Sequence, residues 1–89
     1  MPKRRVGIVN QLGLHARAAA KLVKLASTFD SEVSIGNDQR LVNAKSIMGV
    51  MMLAAANGTE VILVATGIDQ DAALDALENL INDRFGEAQ

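Results

Sequence analysis

No cysteine, tryptophan or tyrosine occurs in the 89 residues, and histidine occurs once, at position 15. Without thiols there can be no disulfide, no cysteine nucleophile and no thiolate metal ligand. A single imidazole makes a poor transition-metal site, and Asp69, Asp71 and Asp75 read as helix capping and a solvated face instead of a ligand set. Phe29 and Phe85 are the only aromatics. The core must therefore be Val, Ile, Leu, Ala and Met, and the base-stacking platforms of nucleic-acid binders are missing despite Lys3-Arg4-Arg5. The longest apolar run, Ile47 to Ala56, is too short to span a bilayer. MPKRRVGIVN starts with charge but lacks the apolar centre of a signal peptide. No Ser/His/Asp set, paired carboxylates in a cleft or glycine-rich nucleotide loop stands out. These absences lead to the expectation of a cytoplasmic protein, not an autonomous enzyme, with no metal, no cofactor, no nucleic acid and no membrane insertion.

What is present is an apolar fraction of 49%, which is that of a globular chain. No linker, repeat or low-complexity segment divides it, so residues 1–89 are expected to form one domain. Charge is split along the chain. Residues 1–45 hold eight Lys and Arg against three acids, giving +5; residues 46–89 hold one base against seven acids, giving −6. The basic half contains His15, and its field favours an anionic ligand or an acidic partner, or else is only an unevenly charged surface.

Periodicity predicts seven elements. A strand over Arg4 to Asn10 puts Val6 and Ile8 on one face. A helix from Ala16 to Ser27 follows, with Ala19, Leu22, Val23 and Ala26 inward and Arg17, Lys21 and Lys24 outward. Val33 and Ile35, a Gly-Asn-Asp turn and Leu41-Val42 make a hairpin. A short apolar helix runs from Lys45 to Ala56, and TEVILVATG reads as an interior strand, apolar on both faces. The last helix spans Asp69 to Phe85, with Asp69 as N-cap, Gly86 after its end, and Ala73, Leu74, Leu77, Leu80 and Ile81 buried. Helices and a mostly antiparallel sheet in so short a chain imply an α+β layer, with the helices on one sheet face.

His15 stands where the first helix begins. Helix N-termini present unpaired N–H groups and a partial positive charge, which hold anions. Arg17, two residues on, adds a guanidinium that matches phosphate oxygens. An uncharged imidazole could accept a phosphoryl group, and the dianion would then meet the N–H groups of Ala16 and Ala18 and the Arg17 side chain. Phosphoryl transfer asks for little beyond such positioning. The alternative on pattern alone is a capping or surface histidine. Ser46 is likewise a natural N-cap. Ile47, Met48, Val50, Met51, Met52 and Leu53 surround a helix too short to bury them all. They are either a flexible docking surface or a buried helix with methionine as gap filler.

Leu14-His15-Ala16-Arg17 after a first strand, and Ser46-Ile47-Met48-Gly49 opening the second helix, resemble the HPr family of histidine-containing phosphocarriers of the bacterial phosphotransferase system. The likeness in element order and spacing runs over nearly the whole chain. It implies an open-faced β-sandwich, a four-stranded antiparallel sheet under three helices in the order β-α-β-β-α-β-α. It also implies phosphorylation of His15 at Nδ1 by enzyme I, using phosphoenolpyruvate, with passage to enzyme IIA domains and Arg17 as the phosphate partner. Ala20, Lys24, Ile47, Met48 and Met51 become the docking surface of a monomer, and Ser46 resembles the site of HPr kinase/phosphorylase. The nitrogen-type branch, in which phosphorylation is a regulatory signal, is the alternative. Proline usually stands where this chain has Ala18. Alanine leaves that turn less rigid and adds one N–H donor, and transfer is expected to survive it.

Overall fold

The computed structural model describes residues 2–53 and 55–87. The elements are β1 (Lys3–Gly7), α1 (Ala16–Ala26), β2 (Glu32–Gly36), β3 (Leu41–Asn43), α2 (Ile47–Leu53), β4 (Glu60–Thr66) and α3 (Gln70–Asn82), followed by one tight turn at Arg84–Gly86. The strands form one antiparallel sheet in the order β1-β4-β2-β3. This is the expected open-faced arrangement of four strands and three helices.

Strand alternation sorts the side chains. Val6 pairs with Val61, Ile35 with Leu63 and Val33 with Ala65, so all six share one face. That face is buried with Ala18, Ala19, Leu22 and Ala26 of α1, Val50 of α2, and Ala73, Leu74, Leu77 and Ile81 of α3. Leu80 is only partly buried at the margin. β4 is interior, as its double apolar pattern predicts, yet its second face is not under helices. Ile62 there is shielded to 7% exposure. Arg5, which pairs with Ile62, reaches across β4 to Asp38 in the β2–β3 turn at 3.0 Å. On the helix side, Arg4 bonds Asp75 and Glu78 of α3, so Asp75 ties a helix to the edge strand.

Boundaries differ from those expected at the ends of β1, α2 and α3. β1 ends at Gly7, although Ile8 still pairs with the chain near Gly58 and Thr59. α2 stops at Leu53 instead of Ala56, and just beyond its end the Ala55 carbonyl accepts the Leu14 N–H at 2.8 Å. Ala54, inside the expected helix, lies outside the described residues. Asp69 occupies the N-cap position of α3 but makes no side-chain cap bond. Its carboxylate instead accepts the N–H groups of Asp30 and Ser31, each at 2.9 Å, and the Ser31 hydroxyl, which fastens the α1–β2 loop to α3. α3 itself ends at Asn82, and Gly86 closes the following turn.

The Ser31 hydroxyl, then the Asp30 and Ser31 N–H groups, hold the Asp69 carboxyl below the usual carboxylate range. A lowered folded value means stabilisation that is complete above the unfolded-state pKa and is lost as pH falls through the folded one. Urea unfolding is expected to place the wild type above Asp69→Asn at neutral pH, with the gap closing below about pH 4. A gap that persists undiminished into strong acid would contradict the assignment.

Candidate functional site

The loop from β1 to α1 is fixed before it reaches His15. Gly13 sits at φ 65°, and a Cβ there would lie 2.6 Å from the Ala55 carbonyl oxygen and 2.9 Å from Ala56 Cα, so only glycine fits. The Gly13 N–H returns to the Asn10 carbonyl at 3.1 Å, and the buried Leu14 donates its N–H to Ala55. His15 then takes the N-cap position of α1 in extended conformation (φ −73°, ψ 178°). The first bond of the helix ladder is from Ala19 N–H to the His15 carbonyl, at 2.8 Å. The N–H groups of Ala16, Arg17 and Ala18 therefore precede the ladder. Ala18 is fully buried, whereas Arg17 is exposed and makes no ion pair among the described residues.

The His15 ring does not cap the helix. Its Nε2 meets Glu87 Oε2, and among the described residues Nδ1 makes no hydrogen bond. Glu87 is brought there by an uncommon backbone. Arg84, Phe85 and Gly86 have φ of 56°, 55° and 77°, three consecutive left-handed residues of which two are not glycine. Each of those two costs roughly 1–2 kcal/mol. The buried Phe85 side chain offsets this, since full burial of such a ring is worth about 1.5–3 kcal/mol. The turn is also tied down by Lys21 Nζ, which donates to the Phe85 carbonyl at 2.6 Å.

Asn10 joins loop and tail. It is buried, and its Nδ2 donates to the Gly13 carbonyl at 2.8 Å and to Glu87 Oε1 at 2.9 Å. Its Oδ1 is buried without a partner among the described residues. The Asn10 donor, then His15, and the nearby charge of Lys21 hold the Glu87 carboxyl below the usual range.

Ser46 caps α2: its Oγ accepts the Gly49 N–H at 3.2 Å. Only Val50 of α2 is fully buried, while Ile47, Met48, Met51 and Met52 are exposed, Met48 to 67%. The helix is thus not the wholly buried one that gap-filling methionine would imply. α2 packs on α1, where Ala20 and Lys24 are also exposed. Among the described residues no cluster of three or more His, Asp and Glu is placed to hold a metal, and no helix is long and apolar enough to cross a membrane. Sequence reading missed three residues. Leu12, in the histidine loop, is 69% exposed. Asn10 had a faint signal in its spacing to Gly13, whereas Glu87 had none.

Comparison with known proteins agrees with this fold. Residues 2–83 match the family model described as the PTS HPr component phosphorylation site. The phosphocarrier protein HPr of Cupriavidus necator is 54% identical over the full length of both chains. A phosphocarrier protein NPr of Shewanella violacea is 46% identical, covering 97% of this chain and 94% of its own. The crystal structure of HPr-C-His from Thermoanaerobacter tengcongensis superposes with a TM-score of 0.95 at 45% identity, covering all of both chains.

The Asn10 bridge is open to a direct check. Asn10→Ala removes two donors and is expected to cost about 1–3 kcal/mol in denaturant unfolding. Asn10→Asp at neutral pH turns oxygens toward the Gly13 carbonyl and the Glu87 carboxylate, and is expected to cost more. Equal losses would mean that the amide donors are not what matters there.

Proposed function

The chain belongs to the PTS-HPr family of phosphocarrier proteins, and on that premise we propose that it carries a phosphoryl group on His15 from enzyme I to enzyme IIA domains. It acts as a cytoplasmic monomer, and as a carrier consumed and restored in each cycle instead of a catalyst. The observation that supports this most is that His15 stands at the α1 N-cap with its ring not engaged in capping. Nδ1 has no hydrogen bond among the described residues and three N–H groups precede the helix ladder beside it.

In this reading the Nδ1 lone pair attacks phosphorus on phosphorylated enzyme I, which was charged from phosphoenolpyruvate. The N–P bond forms as the donor's bond to phosphorus breaks, and the donor keeps that electron pair. The N–H groups of Ala16, Arg17 and Ala18, the helix dipole and the Arg17 guanidinium stabilise the negative oxygens. Ala18 in place of proline preserves this cradle, because its N–H lies outside the ladder. Exposed Ile47, Met48 and Met51, with Ala20 and Lys24, form the docking surface, to which Leu12 and Met52 add apolar area. A phosphoryl group placed on Ser46 by HPr kinase/phosphorylase would put a dianion within that surface and repel acidic partners. The likeness to an NPr supports a second reading, in which the phosphoryl group serves a nitrogen-type enzyme IIA as a signal.

Incubation with phosphoenolpyruvate and enzyme I is expected to add one phosphoryl group by intact mass, lost in acid and absent from His15→Ala. No added mass on a folded wild type would refute the carrier. Ser46→Asp is expected to slow that transfer about tenfold or more through like-charge repulsion at the interface, with the fold intact by circular dichroism. Delivery to a sugar-type or a nitrogen-type enzyme IIA separates the two branches.

A further inference from the structure

We propose that Glu87 is a positioning residue that acts through His15, accepting a hydrogen bond from Nε2–H and so keeping the lone pair on Nδ1. This rests on the reading of His15 as the phosphoryl acceptor. An uncharged imidazole carries one proton on either nitrogen, and only the nitrogen without it can attack. The partner of the other nitrogen sets the tautomer and aims the ring. Here that partner is a carboxylate, which can accept but not donate, and Glu87 Oε2 faces Nε2. The proton therefore belongs on Nε2 and the lone pair on Nδ1, the nitrogen left without a hydrogen bond among the described residues.

The arrangement also balances the charge of the reaction. When Nδ1 forms its bond to phosphorus, the Nε2 proton stays in place and the ring gains a positive charge. The Glu87 carboxylate lies against that charge, as the buried aspartate of a catalytic triad lies against its imidazolium. Because the bond to Glu87 persists, no proton has to leave before the group moves on.

Glu87 is itself oriented. Asn10 Nδ2 is committed to the Gly13 carbonyl at 2.8 Å, so the amide cannot turn over without losing that bond. Its remaining N–H points at Glu87 Oε1 at 2.9 Å. A glutamine at position 87 must therefore turn its oxygen to Asn10 and its NH2 to His15. That reverses the hydrogen bond at the ring: Nε2 becomes the acceptor and the proton moves to Nδ1, where it blocks attack. The left-handed turn at Arg84–Gly86 and the Lys21 bond to Phe85 hold the carboxylate in reach.

The test compares wild type, Glu87→Ala and Glu87→Gln, each checked for fold by circular dichroism. Nitrogen-15 NMR of the ring at alkaline pH reads the tautomer without any phosphorylation. Wild type is expected to hold the proton on Nε2, Glu87→Ala to show a mixed population, and Glu87→Gln to shift it toward Nδ1. With enzyme I and phosphoenolpyruvate, Glu87→Gln is expected to lose about 10–100-fold in kcat with little change in KM, and Glu87→Ala to fall between. Wild-type tautomer and kcat in Glu87→Gln would overturn the proposal, as would a larger loss in alanine than in glutamine. If the wild type takes no phosphoryl group at all, the carrier reading fails while the NMR comparison still decides what Glu87 does to the ring.

Discussion

A helix cannot satisfy its own first N–H groups, and in α1 that deficit follows directly on a loop held by close backbone contacts. Gly13 lies against the Ala55 carbonyl and Ala56 so closely that no side chain fits, and Leu14 is bonded to the same carbonyl. His15 is the next residue, so the direction in which α1 starts is set by contact with the segment after α2. The carbonyls of a helix's last turn have no partner within the helix, and just past the end of α2 the Ala55 carbonyl holds the histidine loop. The segment that follows α2 and the loop that carries His15 are thus joined through one backbone hydrogen bond.

The second constraint comes from the other end of the chain. Two non-glycine residues in left-handed conformation are unfavourable, and such conformations persist where packing over-determines them. Here the buried Phe85 ring and the Lys21 bond supply the packing. What the strained turn accomplishes is to return Glu87 to a loop that lies 72 residues earlier. Asn10 closes the connection, with one amide nitrogen that touches both the loop and the tail.

Much of the fold was legible because it depends on period. Ala19, Leu22 and Ala26, or Ala73, Leu74, Leu77 and Ile81, could only lie on one helix face, and the structure buries them together. The double apolar pattern of β4 correctly placed it inside the sheet, but could not say that one face stays free of helices. The placement of His15 and Arg17 at the start of α1 was legible from the predicted helix start. The charged residues were read less well. Asp69 looks like a cap and is a loop fastener, and Asp75 looks solvated and pairs with Arg4. Glu87 follows a glycine at a predicted helix end, where a lone acid reads as a solvated tail. Nothing local announces a left-handed turn at Arg84 and Phe85, because neither is a glycine. Side chains that act across long sequence separation leave no period behind.

The division of charge along the chain takes a different meaning once Glu87 is in place. A basic half suits an anion, and a uniformly positive site would hold the phosphoryl group firmly. A carrier needs the opposite balance, tight enough to accept the group and loose enough to release it. Of the carboxylates that the acidic half supplies to the basic half, Glu87 is the one that meets the imidazole, on the side of the ring away from Nδ1. On the proposed reading, positive groups at the α1 N-terminus would act on the phosphoryl oxygens, while the negative group would act on the ring that leaves. Placed on opposite nitrogens, the two influences would not cancel. The first would favour the phosphoryl group's arrival, and the second would keep the imidazole a protonated, and hence a good, leaving group when the next acceptor attacks.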